Sequence, residues 1–243
     1  TATGLNSTAI GARAEATQTN ATAIGEDSEA THGQTTAIGR QAKATAWDAT
    51  ALGTVAKATD FRTTALGVLS TASARNATAI GAYSKANANF TLAVGTNAAA
   101  SGVASIAFGA GSNASDTGAI AKGVNAIASG ANSSALGTEA QATAEDALAV
   151  GHSALANKIN ATAIGAGAVA AKENATAIGD KASATGARST SVGHGATTNR
   201  HGASSLGHSA SANAVRATAL GSKSNAGGED AIAVGWNANA IGE

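Results

Sequence analysis

A 14-residue period runs through the whole chain without a slip. Seventeen times at this spacing one residue, which we call the anchor, is followed by Gly, beginning at Ile10 and Ile24. The one anchor that is not apolar is Lys122. A short fixed period means that one small structural unit is stacked many times, so the repeat constrains the fold more than any single residue does.

The other columns of the repeat alternate between small and varied residues. The positions three and one before the anchor, and four and six after it, are held by Ala, Ser or Thr, as at Ala14 and Ala16. The position two before the anchor is usually Thr or a large aliphatic residue, such as Thr22 or Leu92. A period of two is typical of strands. Each repeat is therefore predicted to form two short strands, with one turn after the anchor Gly and another eight to ten residues after the anchor.

Stacked in parallel, such units form an all-β solenoid, or β-roll, with two parallel sheets and about 17 coils of 14 residues. So short a coil has a narrow interior that only small side chains can fill. The small columns are therefore predicted to face inward, and the anchors to face outward from the first sheet. The outer face of the second sheet carries polar residues such as Glu15 and Lys43.

The outward anchors predict an interface. A buried aliphatic side chain contributes about 1.5–3 kcal/mol. A long exposed apolar stripe on a chain whose interior is mostly Ala indicates that association is part of folding. A straight stripe suits a cyclic assembly, and two or three chains would both satisfy it. The predicted interface residues are Ile10, Ile24, Ile38, Leu52, Leu66, Ile80, Val94, Phe108, Lys122, Leu136, Val150, Ile164, Ile178, Val192, Leu206, Leu220 and Val234.

Composition narrows the function. The net charge is zero, with 15 basic and 15 acidic residues and no block of one sign, which argues against a nucleic-acid or anionic-membrane surface. The chain has no Cys for disulfides or thiolate metal sites, and no apolar stretch long enough to span a bilayer. It has no Met and opens on no signal segment, so we expect residues 1–243 to be one repeat domain cut from a longer protein.

Rare aromatic residues mark a candidate ligand surface. Trp47 and Phe61 hold the same turn position in successive repeats, and Arg75 follows one repeat later, in a chain that is only 2% aromatic. Turn columns face solvent, and a multimer would present several copies of a weak site. The simpler alternative is that the rings only cover neighbouring side chains.

The five His residues do not predict a catalytic or metal site. His194 and His208 hold the same turn position on adjacent coils, so we expect them to lie near each other. A metal site or an acid–base pair needs a third partner, and none is evident in the sequence. We therefore predict exposed turn residues, no enzyme activity and no cofactor.

Four repeats carry the same hexapeptide, Asn-Ala-Thr-Ala-Ile-Gly, at residues 20–25, 76–81, 160–165 and 174–179, each followed by x-x-(Ala/Ser)-x-Ala. These units resemble the head repeats of trimeric autotransporter adhesins of the YadA type, and the resemblance covers the whole chain. It implies a left-handed parallel β-roll that forms a homotrimer. It also implies an extracellular protein on the Gram-negative outer membrane, whose membrane anchor lies outside this segment. Its partners would be host matrix proteins or host cells, with haemagglutination or autoaggregation as the readout. Lys122 and the Thr column make this chain more polar than the family pattern.

Threefold symmetry would bring three Lys122 side chains near the axis. Their charges cannot be buried together unpaired, because desolvation and repulsion are costly. The stems could carry the charges outward, an anion could lie on the axis, or Asp116 of another chain could pair with them. Lys122 is therefore a candidate axial anion site. The alternative is a packing defect that the other coils tolerate.

Three other solenoid classes are alternatives. Hexapeptide acyltransferases have longer, three-sided coils and loops with catalytic His, whereas no loop interrupts the period here. Ice-binding solenoids need paired outward Thr residues, and this chain offers a single Thr column beside the anchors. A structural spacer or fibre shaft is the stronger alternative, because a spacer requires only regularity.

Overall fold

The computed structural model describes residues 1–242, which fall into two compact units, residues 1–124 and 125–242. Both units are all-β. Each repeat forms a three-residue strand that ends at the anchor, here called the anchor strand, and a two-residue strand, here called the facing strand. The predicted fold class, an all-β parallel solenoid with about 17 coils, is confirmed. Residues 1–242 contain no helix long and apolar enough to cross a bilayer.

The anchor strands of the first unit are β1 (Thr8–Ile10), β3 (Thr22–Ile24), β5 (Thr36–Ile38), β7 (Thr50–Leu52), β9 (Thr64–Leu66), β11 (Thr78–Ile80), β13 (Leu92–Val94), β15 (Ile106–Phe108) and β17 (Ile120–Lys122). Its facing strands are β2 (Glu15–Ala16), β4 (Glu29–Ala30), β6 (Lys43–Ala44), β8 (Lys57–Ala58), β10 (Thr71–Ala72), β12 (Lys85–Ala86), β14 (Ala99–Ala100) and β16 (Asn113–Ala114).

The anchor strands of the second unit are β19 (Ser134–Leu136), β21 (Leu148–Val150), β23 (Thr162–Ile164), β25 (Thr176–Ile178), β27 (Thr190–Val192), β29 (Ser204–Leu206), β31 (Thr218–Leu220) and β33 (Ile232–Val234). Its facing strands are β18 (Ile127–Ala128), β20 (Gln141–Ala142), β22 (Leu155–Ala156), β24 (Val169–Ala170), β26 (Ser183–Ala184), β28 (Thr197–Thr198), β30 (Ser211–Ala212), β32 (Asn225–Ala226) and β34 (Asn239–Ala240).

Strands of the same kind pair in parallel from one coil to the next. The pairing joins residues one period apart, so β3 places Ile24 beside Ile38 of β5, and β4 places Glu29 beside Lys43 of β6. Each column of the sequence therefore becomes a straight row of side chains within its unit. A property that recurs every 14 residues is displayed along one line of the surface or of the interior.

The small columns fill the interior, as predicted. Ala23 and Ala30 are fully buried, and the same positions are buried in all but the terminal coils. At most polar inner positions the hydroxyl bonds locally: Ser28 Oγ donates to the carbonyl of Gly25 at 2.9 Å, and Thr35 Oγ1 donates to that of His32 at 2.7 Å. Within residues 1–242 the inner hydroxyls of Ser105 and Ser133 are exceptions, with no hydrogen-bond partner. A buried hydroxyl with a partner avoids the cost of an unpaired one. The interior therefore accepts Ser and Thr beside Ala.

The turns lie where the sequence predicted them. In most coils the residues three and ten after the anchor adopt left-handed backbone conformations, as at Asn20 (φ 58°) and Val55 (φ 58°). Asn tolerates this conformation, whereas a β-branched residue such as Val is strained by it. Hydrogen bonds between coils hold the turns in place, as when the N–H of Asp27 donates to the carbonyl of Ala12 at 2.9 Å.

Candidate functional site

The anchors lie on the outer face of each unit. Their side chains are half-buried or exposed, with 48% exposure at Phe108 and 51% at Leu206 inside the stack of coils. Strand register makes neighbouring anchors adjacent, and in the second unit Val192, Leu206 and Leu220 line a shallow apolar groove together with Thr190. A single chain thus leaves this row of apolar side chains, here called the anchor row, open to solvent. The predicted interface residues therefore share one outward-facing column in each unit.

Lys122 interrupts the anchor row of the first unit. Its side chain is exposed, and strand register places it beside Phe108. Asp116 Oδ1 accepts a hydrogen bond from the backbone N–H of Thr117 at 2.7 Å, which caps its own turn. Within residues 1–242 Lys122 forms no salt bridge. In a single chain the ammonium group of Lys122 is therefore hydrated by solvent. The axial anion site stays a prediction.

The candidate ligand surface lies on the edge formed by the second turns. Trp47 is 54% exposed, and its indole lies over Gly33 of the preceding coil, where a β-carbon would come within 2.3 Å of the ring. The Phe61 ring contacts two guanidinium groups, with its centroid 4.8 Å from Cζ of Arg62 and 5.3 Å from Cζ of Arg75. The structure thus brings the three predicted residues together on one edge and adds Arg62. The rings cover neighbouring groups and still leave aromatic surface exposed.

Ion pairs connect successive coils at both kinds of turn, the first turns after the anchor Gly and the second turns. The Arg13 guanidinium donates to Asp27 Oδ2 at 2.7 Å and to Glu26 Oε1 at 3.2 Å. The hydrogen bond from Arg13 lowers the pKa of Asp27 below its usual value. Arg216 lowers the pKa of Asp230 in the same way. These side chains lie at the surface, half-buried or exposed, so the pairs order the surface and contribute little to stability.

A second constellation lies on the edge formed by the first turns, where the predicted nearness of His194 and His208 is confirmed. The rings of His194 and His208 are stacked, with centroids 5.2 Å apart and planes inclined by 6°. Asp180 Oδ2 lies 3.2 Å from Nε2 of His194 on the other side. Asp180 is therefore the third partner of the two His residues, which the sequence analysis did not identify. It holds the same column one repeat earlier, so following that column through one more coil would have found it.

A small polar cluster lies inside the second unit and is closed to solvent. Ser191 Oγ and Ser205 Oγ are 3.1 Å apart, and Thr198 Oγ1 donates to Ser189 Oγ at 3.0 Å. The hydroxyl of Ser189 donates in turn to the carbonyl of Gly186 at 2.7 Å. These hydroxyl groups serve as hydrogen-bond partners for one another, which offsets the cost of burying them. The cluster is best explained as part of the packing.

Comparison with known proteins identifies the repeat. The sequence matches the profile of a family described as "YadA head domain repeat (2 copies)" over most of its length. Among solved structures, the chain is similar to the collagen-binding domain of the Yersinia adhesin YadA. The identity is 26% and the TM-score 0.39, over 56% of this chain and 68% of that chain. Curated protein sequences give no match. The residues matched by the family profile are 2–28, 33–56, 58–84, 72–98, 100–126, 117–140, 128–154, 142–168, 156–182, 170–196, 184–210, 201–224, 212–238 and 226–243.

Proposed function

Because this chain belongs to the YadA head domain repeat family, as its hexapeptides predicted, we propose that it is the ligand-binding head of a trimeric surface adhesin. Membership of that family supports an adhesin-type function. The homotrimer, the host ligand and the display on a Gram-negative outer membrane are the further parts of the proposal. The observation that carries it is the anchor row, an apolar surface that a single chain leaves uncovered.

The anchor row supports assembly on energetic grounds. Leu206 and Val234 are 51% and 62% exposed in the single chain, although each aliphatic side chain contributes about 1.5–3 kcal/mol when buried. The interior is filled almost entirely by Ala, Ser and Thr, which bury little apolar area per residue. Chains that meet through the anchor row gain the large-residue core that each lacks alone. A cyclic homotrimer makes these rows equivalent around one axis.

We infer host extracellular matrix or host cells as the ligand, with haemagglutination and autoaggregation as possible consequences. A trimer carries each surface feature three times, so a weak contact with a repetitive matrix protein or a dense cell surface is strengthened by avidity. The regular coils supply a surface on which turn residues differ from coil to coil. Specificity would then reside in the turns.

The edge with Trp47, Phe61 and Arg75 is the candidate ligand surface. Trp and Phe supply apolar contact area, and aromatic residues and Arg are enriched where proteins bind one another. Both Arg62 and Arg75 contact the Phe61 ring, so the ring is positioned before a ligand arrives. Positioned side chains lose less conformational entropy on binding.

Solid-phase binding tests this proposal. The purified protein is applied to a panel of matrix proteins that includes collagen, and to host cells. The double variant Trp47→Ala/Phe61→Ala is compared with Tyr83→Ala/Trp236→Ala, which removes two exposed aromatic rings from the first-turn edge. We expect the wild type and the control to bind and the Trp47/Phe61 variant to bind less.

Two outcomes contradict the proposal at different points. Unchanged binding by Trp47→Ala/Phe61→Ala shows that these rings only cover their neighbours and that the ligand surface lies elsewhere. Absence of binding to every matrix protein and cell tested, by a protein that is folded and trimeric, favours the spacer or fibre shaft.

A further inference from the structure

Three side chains with metal-binding chemistry occupy successive coils on the first-turn edge of the second unit. Asp180, His194 and His208 each lie two residues after an anchor, one period apart. Asp180 Oδ2 is 3.2 Å from His194 Nε2, and the His208 ring is stacked 5.2 Å beyond the ring of His194. All three side chains are at least partly open to solvent. We call them the Asp-His-His ladder.

The backbone beneath the ladder is fixed. The carbonyl of Asp180 accepts a hydrogen bond from the N–H of Gly195 at 2.9 Å, and that of His194 accepts one from Ser209 at 2.9 Å. The carbonyl of His208 accepts one from the N–H of Lys223 at 2.8 Å. The column next to the two rings holds Gly195 and Ser209, which are small and leave the ring edges uncovered. The scaffold thus sets the spacing of the three backbone positions, while the side chains above them are at least partly open to solvent.

One distance in the ladder, that between Asp180 and His194, matches the ligand spacing of a divalent transition cation. Zn²⁺ binds imidazole nitrogen and carboxylate oxygen at roughly 2.0–2.2 Å in tetrahedral geometry, which places two ligand atoms about 3.3 Å apart. The separation of Asp180 Oδ2 and His194 Nε2, 3.2 Å, already has this value. No three such groups converge on one point as the side chains of residues 1–242 stand. His208 must therefore tilt out of its stack toward His194 to become the third ligand.

We propose that the Asp-His-His ladder binds one divalent transition cation of the zinc, nickel or copper class. Asp180 Oδ2, His194 Nε2 and one imidazole nitrogen of His208 are the protein ligands, and water completes the coordination. Imidazole with one carboxylate is a donor set that these metals accept, whereas Mg²⁺ prefers oxygen alone. The site lies within one chain, so it does not depend on the proposed adhesin function.

His152 provides a matched comparison within the same unit. It holds the same turn position as the two ladder His residues, and its Nε2 lies 4.0 Å from Glu139 Oε2. The residues of its column one coil before and one coil after are Thr138 and Ala166, so it has an acid beside it and no second imidazole. Loss of His152 therefore controls for the removal of an exposed His with an acidic neighbour.

Calorimetric titration of the purified protein with Zn²⁺ tests the site. We expect the wild type and His152→Ala to bind Zn²⁺ alike, and His208→Ala and Asp180→Asn to bind it roughly tenfold more weakly or worse. His194→Ala should lose the site. Mg²⁺ should bind none of these proteins at the ladder. Circular dichroism establishes that each variant keeps its β-structure, as expected for substitutions of exposed turn side chains.

A spectroscopic measurement counts the nitrogen ligands. Electron paramagnetic resonance of the Cu²⁺-loaded protein should show hyperfine coupling to two imidazole nitrogens in the wild type and to one in His208→Ala. Equal Zn²⁺ affinity of the wild type and His194→Ala would overturn the proposal, and so would a wild-type spectrum with a single nitrogen. Both readouts require only the folded protein and do not depend on adhesion, so a failure here is distinguishable from a failure of the proposed function.

Discussion

A β-carbon on Gly165 would lie 2.3 Å from the carbonyl oxygen of Gly179 on the next coil. Gly165 follows the anchor Ile164 and has φ of +130°, which L side chains rarely adopt. Because the coils stack in register, the contact recurs along each unit; at Gly39 the corresponding distance to the carbonyl oxygen of Gly53 is 2.5 Å. The Gly after the anchor is therefore required by the close approach of two backbones as well as by its conformation.

Gly165→Ala should be strongly destabilising, by about 3 kcal/mol or more, because backbone atoms of two coils must separate. Gly167 is the matched control. It has φ of +62°, and its β-carbon would meet nothing closer than Lys181 Cγ at 3.7 Å. Gly167→Ala should cost only about 1 kcal/mol. Denaturation followed by circular dichroism measures both, and equal losses would show that close packing between coils is not the constraint.

Val55→Asn should stabilise the protein. Val55 is half-exposed with φ of 58°, a conformation that strains a β-branched residue and that Asn accepts more readily. The expected gain is about 1 kcal/mol. Val68→Asn is the control, since Val68 is 45% exposed and has no left-handed backbone. A similar gain from Val68→Asn, measured by thermal denaturation, would show that removing an exposed apolar side chain causes the effect and that relief of backbone strain does not.

The interior should reject large side chains. Ala177 is fully buried, and strand register places it beside Ser191. Ala177→Leu overfills a narrow interior and should cost about 1–3 kcal/mol or more, as should Ala149→Leu. Ala177→Ser should be tolerated, because the new hydroxyl has Ser191 as a partner. Thr176→Leu serves as the outward control, and a melting temperature unaffected by Ala177→Leu would mean that the inner and outer faces are assigned wrongly.

Periodicity made the fold predictable, and departures from it made the site difficult to predict. The column of Ala23 holds a small residue in every repeat, and the column of Ile24 holds a larger one. The inward and outward columns could therefore be predicted from the sequence. The left-handed position of Val55 could not, because residue types in that column vary and any residue can occupy it at a cost. The approach of Asp180 to His194 was missed because it depends on two unlike residues in one column.

Lys122 should require charge compensation in the assembled trimer. Three ammonium groups near one axis repel one another and lose hydration, so we expect an anion on the axis or an acid of another chain within salt-bridge distance. Asp116 is the nearest acid in sequence before it. Crystals grown with bromide in place of chloride should show an anomalous peak at this level or a Lys122–Asp116 contact. The absence of both would leave an uncompensated packing defect.

The most direct test of the account is the oligomeric state of Ile80→Asp/Ile164→Asp, because both anchors belong to the proposed trimer interface. Sedimentation should show a trimer for the wild type and for the control Lys85→Asp/Gln141→Asp, which alters the outer face of the facing strands. The anchor variant should neither assemble nor retain the circular dichroism of folded β-structure, since three carboxylates cannot be buried at each of two levels. A well-folded monomer from this variant, or a wild type that sediments as a monomer, would contradict the claim that the anchor row is the core of a trimeric head.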